Sequence, residues 1–185
     1  MLQYSSGGTP VETWVLILRL IHILSGVFWA GTSFFMVSFV SPAVEATGPE
    51  GQKFMRQLAM KSTFATVMAA TATATALSGI ILYIILTELD QAIMSNRYFE
   101  ILGLGAVAGL AGWVVGFVMQ NRAISRMKAV AAEIEAAGGP PTPEQMAEMQ
   151  AMAERVALGG RIGAVLLTIA VVCMAAAQPL ASLMA

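Results

Sequence analysis

Four long stretches of this chain carry no charged residue, and no other feature limits its fold so sharply. They are residues 23–44, 62–87, 101–121 and 162–185, and the first extends upstream past His22 and Arg19 to about Thr13. Each reaches the roughly 20 residues that a helix needs to cross the hydrocarbon core of a bilayer. In lipid the backbone must satisfy its own hydrogen bonds, so the segments are expected to be helices. Apolar residues make up 57% of the chain and charged residues only 11%, the balance of a protein whose solvent is largely lipid. The expected fold is all-α: an integral membrane four-helix bundle in one domain over residues 1–185, with helices at about 13–44, 58–88, 97–137 and 143–184. Residues 122–160 are expected to form a partly cytoplasmic helical hairpin between helices three and four.

Basic residues set the expected orientation. The first connection holds Lys53, Arg56 and Lys61, and the third holds Arg122, Arg126, Lys128, Arg155 and Arg161. The second has only Arg97, among Glu88, Asp90 and Glu100. Eight cations against one put the first and third connections in the cytoplasm and both termini outside, in a cell (inner) membrane. The first segment lacks a basic leader and is too long for a cleaved signal peptide, so it is expected to be retained. A net charge of −1 offers no broad basic surface for nucleic acid. The expected partners are the lipid bilayer and other membrane subunits or further copies of the chain. The one cysteine, Cys173, can form no disulfide within the chain.

The third connection reads as helix, break, helix. Alanine-rich sequence continues to Ala137, Gly138-Gly139-Pro140-Pro141 interrupts it, and Thr142-Pro143-Glu144-Gln145 carries the signature of a capping box with proline at the first helical position. Met146, Met149 and Met152 recur every three residues on the returning arm, facing Met127, Val130 and Ile134 on the outgoing one. Soft thioethers suit copper(I), but an apolar seam or a docking face is the better reading, because methionine fills such contacts readily. Helix three presents Gly105, Gly109, Gly112 and Gly116, spaced for close approach of a neighbouring backbone. Helix two is rich in alanine and threonine up to Ser78 and Gly79, which suits tight packing or a groove without bulk.

The candidate site lies on helix one. Positions 19, 22, 26, 29 and 33 share a face, giving Arg19, His22, Gly26, Trp29 and Ser33 from the outer end inward. An imidazole and a guanidinium in an apolar span need partners there. His22 is expected about nine residues, or roughly 13 Å, below the outer end. Gly26 is expected to leave open space beside its ring. Met174 and Cys173 fall at nearly the same depth on helix four, so His22 with Met174 or Cys173 forms a candidate ligand pair, with Gln178 one turn outward as a supporting group. Three readings follow. A b-type haem would take His22 as an axial ligand, with Arg19 on a propionate; a copper ion would bind His22 with a thioether or thiolate; or His22 is neutral and hydrogen-bonded to a serine, a threonine or Tyr83, with Arg19 snorkelling to the interface.

Leu20-Ile21-His22-Ile23-Leu24, then Gly26, Phe28-Trp29-Ala30-Gly31, Phe34-Phe35, Ser41-Pro42-Ala43 and the loop from Gly48-Pro49 to Phe54 resemble the first helix and loop of the copper resistance D (CopD)-like superfamily. The resemblance covers about residues 16–58. Those are polytopic inner-membrane proteins, and the superfamily is distantly similar to the membrane protoporphyrinogen oxidases, small haem-binding proteins with a similar histidine and tryptophan-glycine pattern. The resemblance implies that His22 carries the haem or metal ligand. The expected function is a membrane subunit binding a haem b or a copper ion at His22, for electron transfer or metal handling. The cofactor residues would be His22, Arg19, Gly26 and Trp29, the metal ligands His22, Met174 and Cys173, and no catalytic residue is identified. The competing reading is a cofactor-free accessory subunit of a larger membrane complex, and a porphyrin-oxidising enzyme ranks last.

Overall fold

In a computed structural model that describes residues 10–183, every element is a helix. The order is α1 (Pro10–Phe35), a π-helical turn (Met36–Val40), α2 (Ser41–Thr47), α3 (Pro49–Arg56), a second π turn (Gln57–Lys61), α4 (Phe64–Thr87), α5 (Gln91–Met94), α6 (Arg97–Val115), a third π turn (Gly116–Asn121), α7 (Arg122–Ala137) and α8 (Pro143–Leu183). Four continuous stretches are long and apolar enough to cross a membrane: Glu12–Thr47, Phe64–Thr87, Arg97–Ala137 and Pro143–Leu183. Residue 184, expected to end the fourth helix, and both chain ends, expected outside, lie outside the described residues.

Local chemistry explains the breaks. Pro42 has no N–H to give the preceding turn, and the chain widens into π geometry over Met36–Val40 just before it. Gly48 takes φ 59° and ends α2, and Pro49 then opens α3, so the stretch expected as a loop is itself helical. The second span starts at Phe64 rather than near residue 58. Ser62 is extended at φ −101° and ψ 172°, and its hydroxyl accepts from the Phe64 N–H at 3.1 Å. The outer end of α4 closes with two successive left-handed residues, Glu88 (φ 52°) and Leu89 (φ 54°). Thr87, fully buried, accepts there from the Leu89 N–H at 3.3 Å. Asp90 and Asn96 then cap α5 and α6 through Ala92 N–H and Tyr98 N–H.

The capping box at the head of α8 forms as its sequence implies. Thr142 N–H donates to Gln145 Oε1 at 3.0 Å, and Gln145 N–H donates to Thr142 Oγ1 at 3.3 Å. Opposite it, Arg126 of α7 grips both carboxylate oxygens of Glu148, at 2.6 and 3.1 Å. Val130 is fully buried at this end, while Met146 is 59% exposed and so lies outside the expected methionine seam.

Two helix pairs carry the packing. α6 and α8 lie closest, and α1 packs on α4; α4–α6 and α1–α8 contacts join the pairs more sparsely. The α6 glycines explain the first pair. A side chain at Gly105 would meet Cys173 Cβ at 3.0 Å and the Ala170 carbonyl at 3.1 Å, and one at Gly109 or Gly112 would meet Ala170 Cβ at 3.7 Å or Leu166 Cβ at 3.6 Å. Gly116 has nothing within 4 Å; along the third π turn the close contact passes to Gly159 of α8, where an added Cβ would meet Gln120 Cγ at 3.2 Å and Met119 Cβ at 3.3 Å. All four spans converge at one cluster: Trp29 and Ala30 of α1, Ala72 of α4 and Leu167 of α8, with Phe34, Met68 and Trp113 against them. Trp113 Nε1–H also donates to Thr73 Oγ1 at 3.2 Å, tying α6 to α4.

Candidate functional site

His22 sits one to two turns outward of that cluster and turns its ring onto α4. Its Nδ1 lies 2.9 Å from the main-chain carbonyl oxygen of Thr75. A carbonyl only accepts, so in this contact Nδ1–H is the donor. Among the described residues Nε2 has no hydrogen-bond partner within the chain.

A helix carbonyl is an unusual acceptor for a side chain on another helix, because the side chain four residues later normally leans back over it. The residue four after Thr75 is Gly79. A methyl there would lie 2.7 Å from His22 Cε1 and 3.0 Å from Nδ1, so the missing side chain is what lets the imidazole reach the backbone. Gly26 does the same for the facing helix: a Cβ there would be 3.3 Å from Thr75 Cγ2. The open space expected beside the ring on that side is therefore filled by Thr75. Hydroxyls line the contact. Thr75 Oγ1 is 2.8 Å from both Ser25 Oγ and the Thr71 carbonyl, and Ser78 Oγ stands 3.5 Å from His22 Nδ1.

The other expected site residues take separate places. Trp29 is 8% exposed and is a core residue of the four-span cluster. Ser33 bonds back to the Trp29 carbonyl at 2.8 Å. Arg19 is exposed, one turn outward of His22, in an open cleft of about 300 Å³ that it lines with Glu12, Val15 and Leu16. Tyr83 packs towards Gly103 and Phe99 of α6, leaving the imidazole to Thr75 and Ser78. Cys173 and Met174 pack onto Gly105 of α6, with Met174 Cγ 3.2 Å from where a Gly105 side chain would start. No hydrogen bond joins either to His22 among the described residues. Gly105 lets these side chains approach the α6 backbone, as Gly79 lets His22 approach that of α4. Nor does any group of three or more His, Cys, Asp and Glu side chains come together as a metal site among the described residues.

Thr75, Ser78 and Gly79 belong to the site; the sequence offers a serine or threonine as a partner for His22 without saying which, and does not name the Thr75 main-chain carbonyl as the acceptor. The signal that could have found them is a glycine four residues after a threonine on an apolar helix, facing the chain's single histidine. Comparison of the chain with protein-family models, with curated proteins and with solved structures finds no match.

Proposed function

We propose that this chain is an integral membrane subunit in which His22, through Nε2, would hold a b-type haem. The observation that carries the proposal is the Nδ1–H bond to the Thr75 carbonyl at 2.9 Å. Ligating histidines are commonly held in this way, with the second ring nitrogen donating to a carbonyl, which fixes the tautomer and raises the basicity of the ligating atom. The donor set favours haem over copper. One imidazole suffices to hold a haem, whereas a copper ion would need a further soft donor, and Cys173 and Met174 are turned to α6. The haem would supply one-electron redox chemistry. The chain's part is to fix the ring through Thr75 and Gly79, exclude water with the apolar faces around it, and offer Arg19, one turn outward, to a propionate. The resemblance of residues 16–58 to the copper resistance D superfamily agrees with His22 as the ligand position. In the same proposal the termini lie outside, the α3 and α7–α8 connections lie in the cytoplasm, and His22 occupies the outer half of a four-helix bundle.

Absorption spectra of membranes containing the intact chain test this. A Soret band that is lost in His22→Ala, and weakened in Arg19→Leu without unfolding, is the expected result. A colourless protein carrying stoichiometric copper would assign metal handling instead. One observation favours a second reading, a cofactor-free accessory subunit. α1 leaves its large apolar side chains uncovered, Leu24 at 69% and Val27 at 68% exposure, a face that either lipid or a neighbouring subunit must cover. A colourless, metal-free protein that copurifies with fixed partners would select it.

A further inference from the structure

At the opposite end of the molecule from His22, where the first connection passes α7, four cations line one open cleft of about 520 Å³: Lys53 and Arg56 of α3, Lys61 at the end of the second π turn, and Lys128 of α7. Glu135 is the single carboxylate in the lining, and Met60, Ala131 and Ala132 supply its apolar wall. Lys53 is held by Glu50 at 3.0 Å, whereas Arg56, Lys61 and Lys128 have no ion-pair partner among the described residues. Three free cations converging on one concave surface repel one another unless an anion joins them.

Placement narrows the anion. Lys61 stands three residues before Phe64, where α4 begins, so the cleft lies at the edge of an apolar span, the depth of lipid headgroups. Its wall is apolar on one side and cationic on the other. That matches a molecule with a phosphate next to a hydrocarbon part. A guanidinium takes two phosphate oxygens at once and ammonium groups take the remainder as point charges. The volume lies within the range of small-ligand clefts.

We infer that the cleft between α3, the second π turn and α7 binds the phosphate group of an anionic phospholipid. This site is separate from His22 and stands or falls independently of the haem proposal. The test measures thermal unfolding of the detergent-purified full chain while phosphatidylglycerol, phosphatidylcholine or inorganic phosphate is added, in the wild type and in a triple variant, Arg56→Gln, Lys61→Gln and Lys128→Gln. All three positions are exposed, so the variant should fold. The expected result is stabilisation by phosphatidylglycerol alone. The triple variant should bind it about a hundredfold more weakly, since each cation near an anionic surface is worth roughly fivefold in affinity. Arg122→Gln, an exposed cation outside the lining, should leave the response intact. Inorganic phosphate acting at millimolar concentration without lipid would reassign the source to a free phosphate and overturn the lipid. Equal stabilisation by phosphatidylcholine, or an equal loss in Arg122→Gln, would overturn the site.

Discussion

Replacing Gly79 by alanine should break the contact that aims His22, and the structure sets the size of the effect. The new methyl would begin 2.7 Å from Cε1 and 3.0 Å from Nδ1 of the imidazole. Ordinary carbon contacts are about 3.5–4.0 Å, so the ring must retreat by about 1 Å. A bond now 2.9 Å long would then be stretched past hydrogen-bond range. Losing that bond costs about 0.5–1.5 kcal/mol, and forcing extra volume into a packed contact costs about 1–3 kcal/mol more. Alanine in place of a helical glycine returns up to about 1 kcal/mol. The net expectation is a destabilisation of about 0.5–4.5 kcal/mol, read by thermal or denaturant unfolding of the purified chain in detergent. Gly31→Ala is the matched control, because Gly31 has nothing within 4 Å and should be neutral or slightly stabilised. The cycle with His22→Ala is decisive. Without the imidazole the Gly79 methyl has lost the atoms it strikes, so Gly79→Ala should become neutral or stabilising in that background. If it costs as much without the ring as with it, or behaves like Gly31→Ala, the account of how His22 reaches the Thr75 carbonyl is wrong.

Gly105→Leu should push α6 from α8, because its first carbon would already crowd Cys173 Cβ and the Ala170 carbonyl at 3.0 and 3.1 Å. The expected loss is about 3 kcal/mol or more in unfolding experiments, as overpacking costs of about 1–3 kcal/mol apply to far smaller insertions. Trp113→Phe keeps most of the ring but removes the Nε1–H bond to Thr73 at 3.2 Å. A loss of about 0.6 kcal/mol is expected for such a bond between membrane helices, and a double-mutant cycle with Thr73→Val should recover that coupling. Thr142→Ala removes the capping hydroxyl of α8 and should cost about 1 kcal/mol, with faster amide exchange confined to the first turn after Pro143 as its local signature.

Much of this architecture can be read from residue spacing because, in lipid, each apolar run has few alternatives to a helix. The stripe of His22, Gly26 and Trp29 is such a case: spacings of three and four put them on one face, and that face is the one turned to α4. The capping box is another, since its two hydrogen bonds depend only on residues three apart. What spacing could not supply is which helix each face meets. His22 and Met174 share an expected depth, yet depth does not say what each side chain touches: His22 meets Thr75 of α4, and Met174 lies against Gly105 of α6. Gly79 opens a carbonyl to the imidazole, while Gly105 opens a backbone to Cys173 and Met174. Both belong to glycine patterns that signal close approach without naming the partner. The start of α4 was hidden for a different reason. Ser62 offers its own hydroxyl to the Phe64 N–H, a local choice that competes with helix and leaves no mark in hydropathy.

The two helix pairs are joined by different kinds of contact. The α6–α8 pair is joined where bare backbone at Gly105, Gly109 and Gly112 faces Cys173, Ala170 and Leu166, so closely that an added Cβ would lie 3.0–3.7 Å from them, which leaves little room for side chains at those positions. The α1–α4 pair meets through hydroxyls, a carbonyl and one imidazole, groups whose hydrogen bonds can be exchanged without opening a void. A ligand at Nε2 would need only the outer part of α1 to adjust, since Trp29 anchors the helix at the four-span cluster two turns inward. The rigid pair and the cluster then serve as the frame against which that adjustment is made. It follows that a mutation loosening α6 from α8 should disturb His22 only through Trp29, whereas a mutation at Gly79 should disturb it directly and leave the α6–α8 contact unchanged.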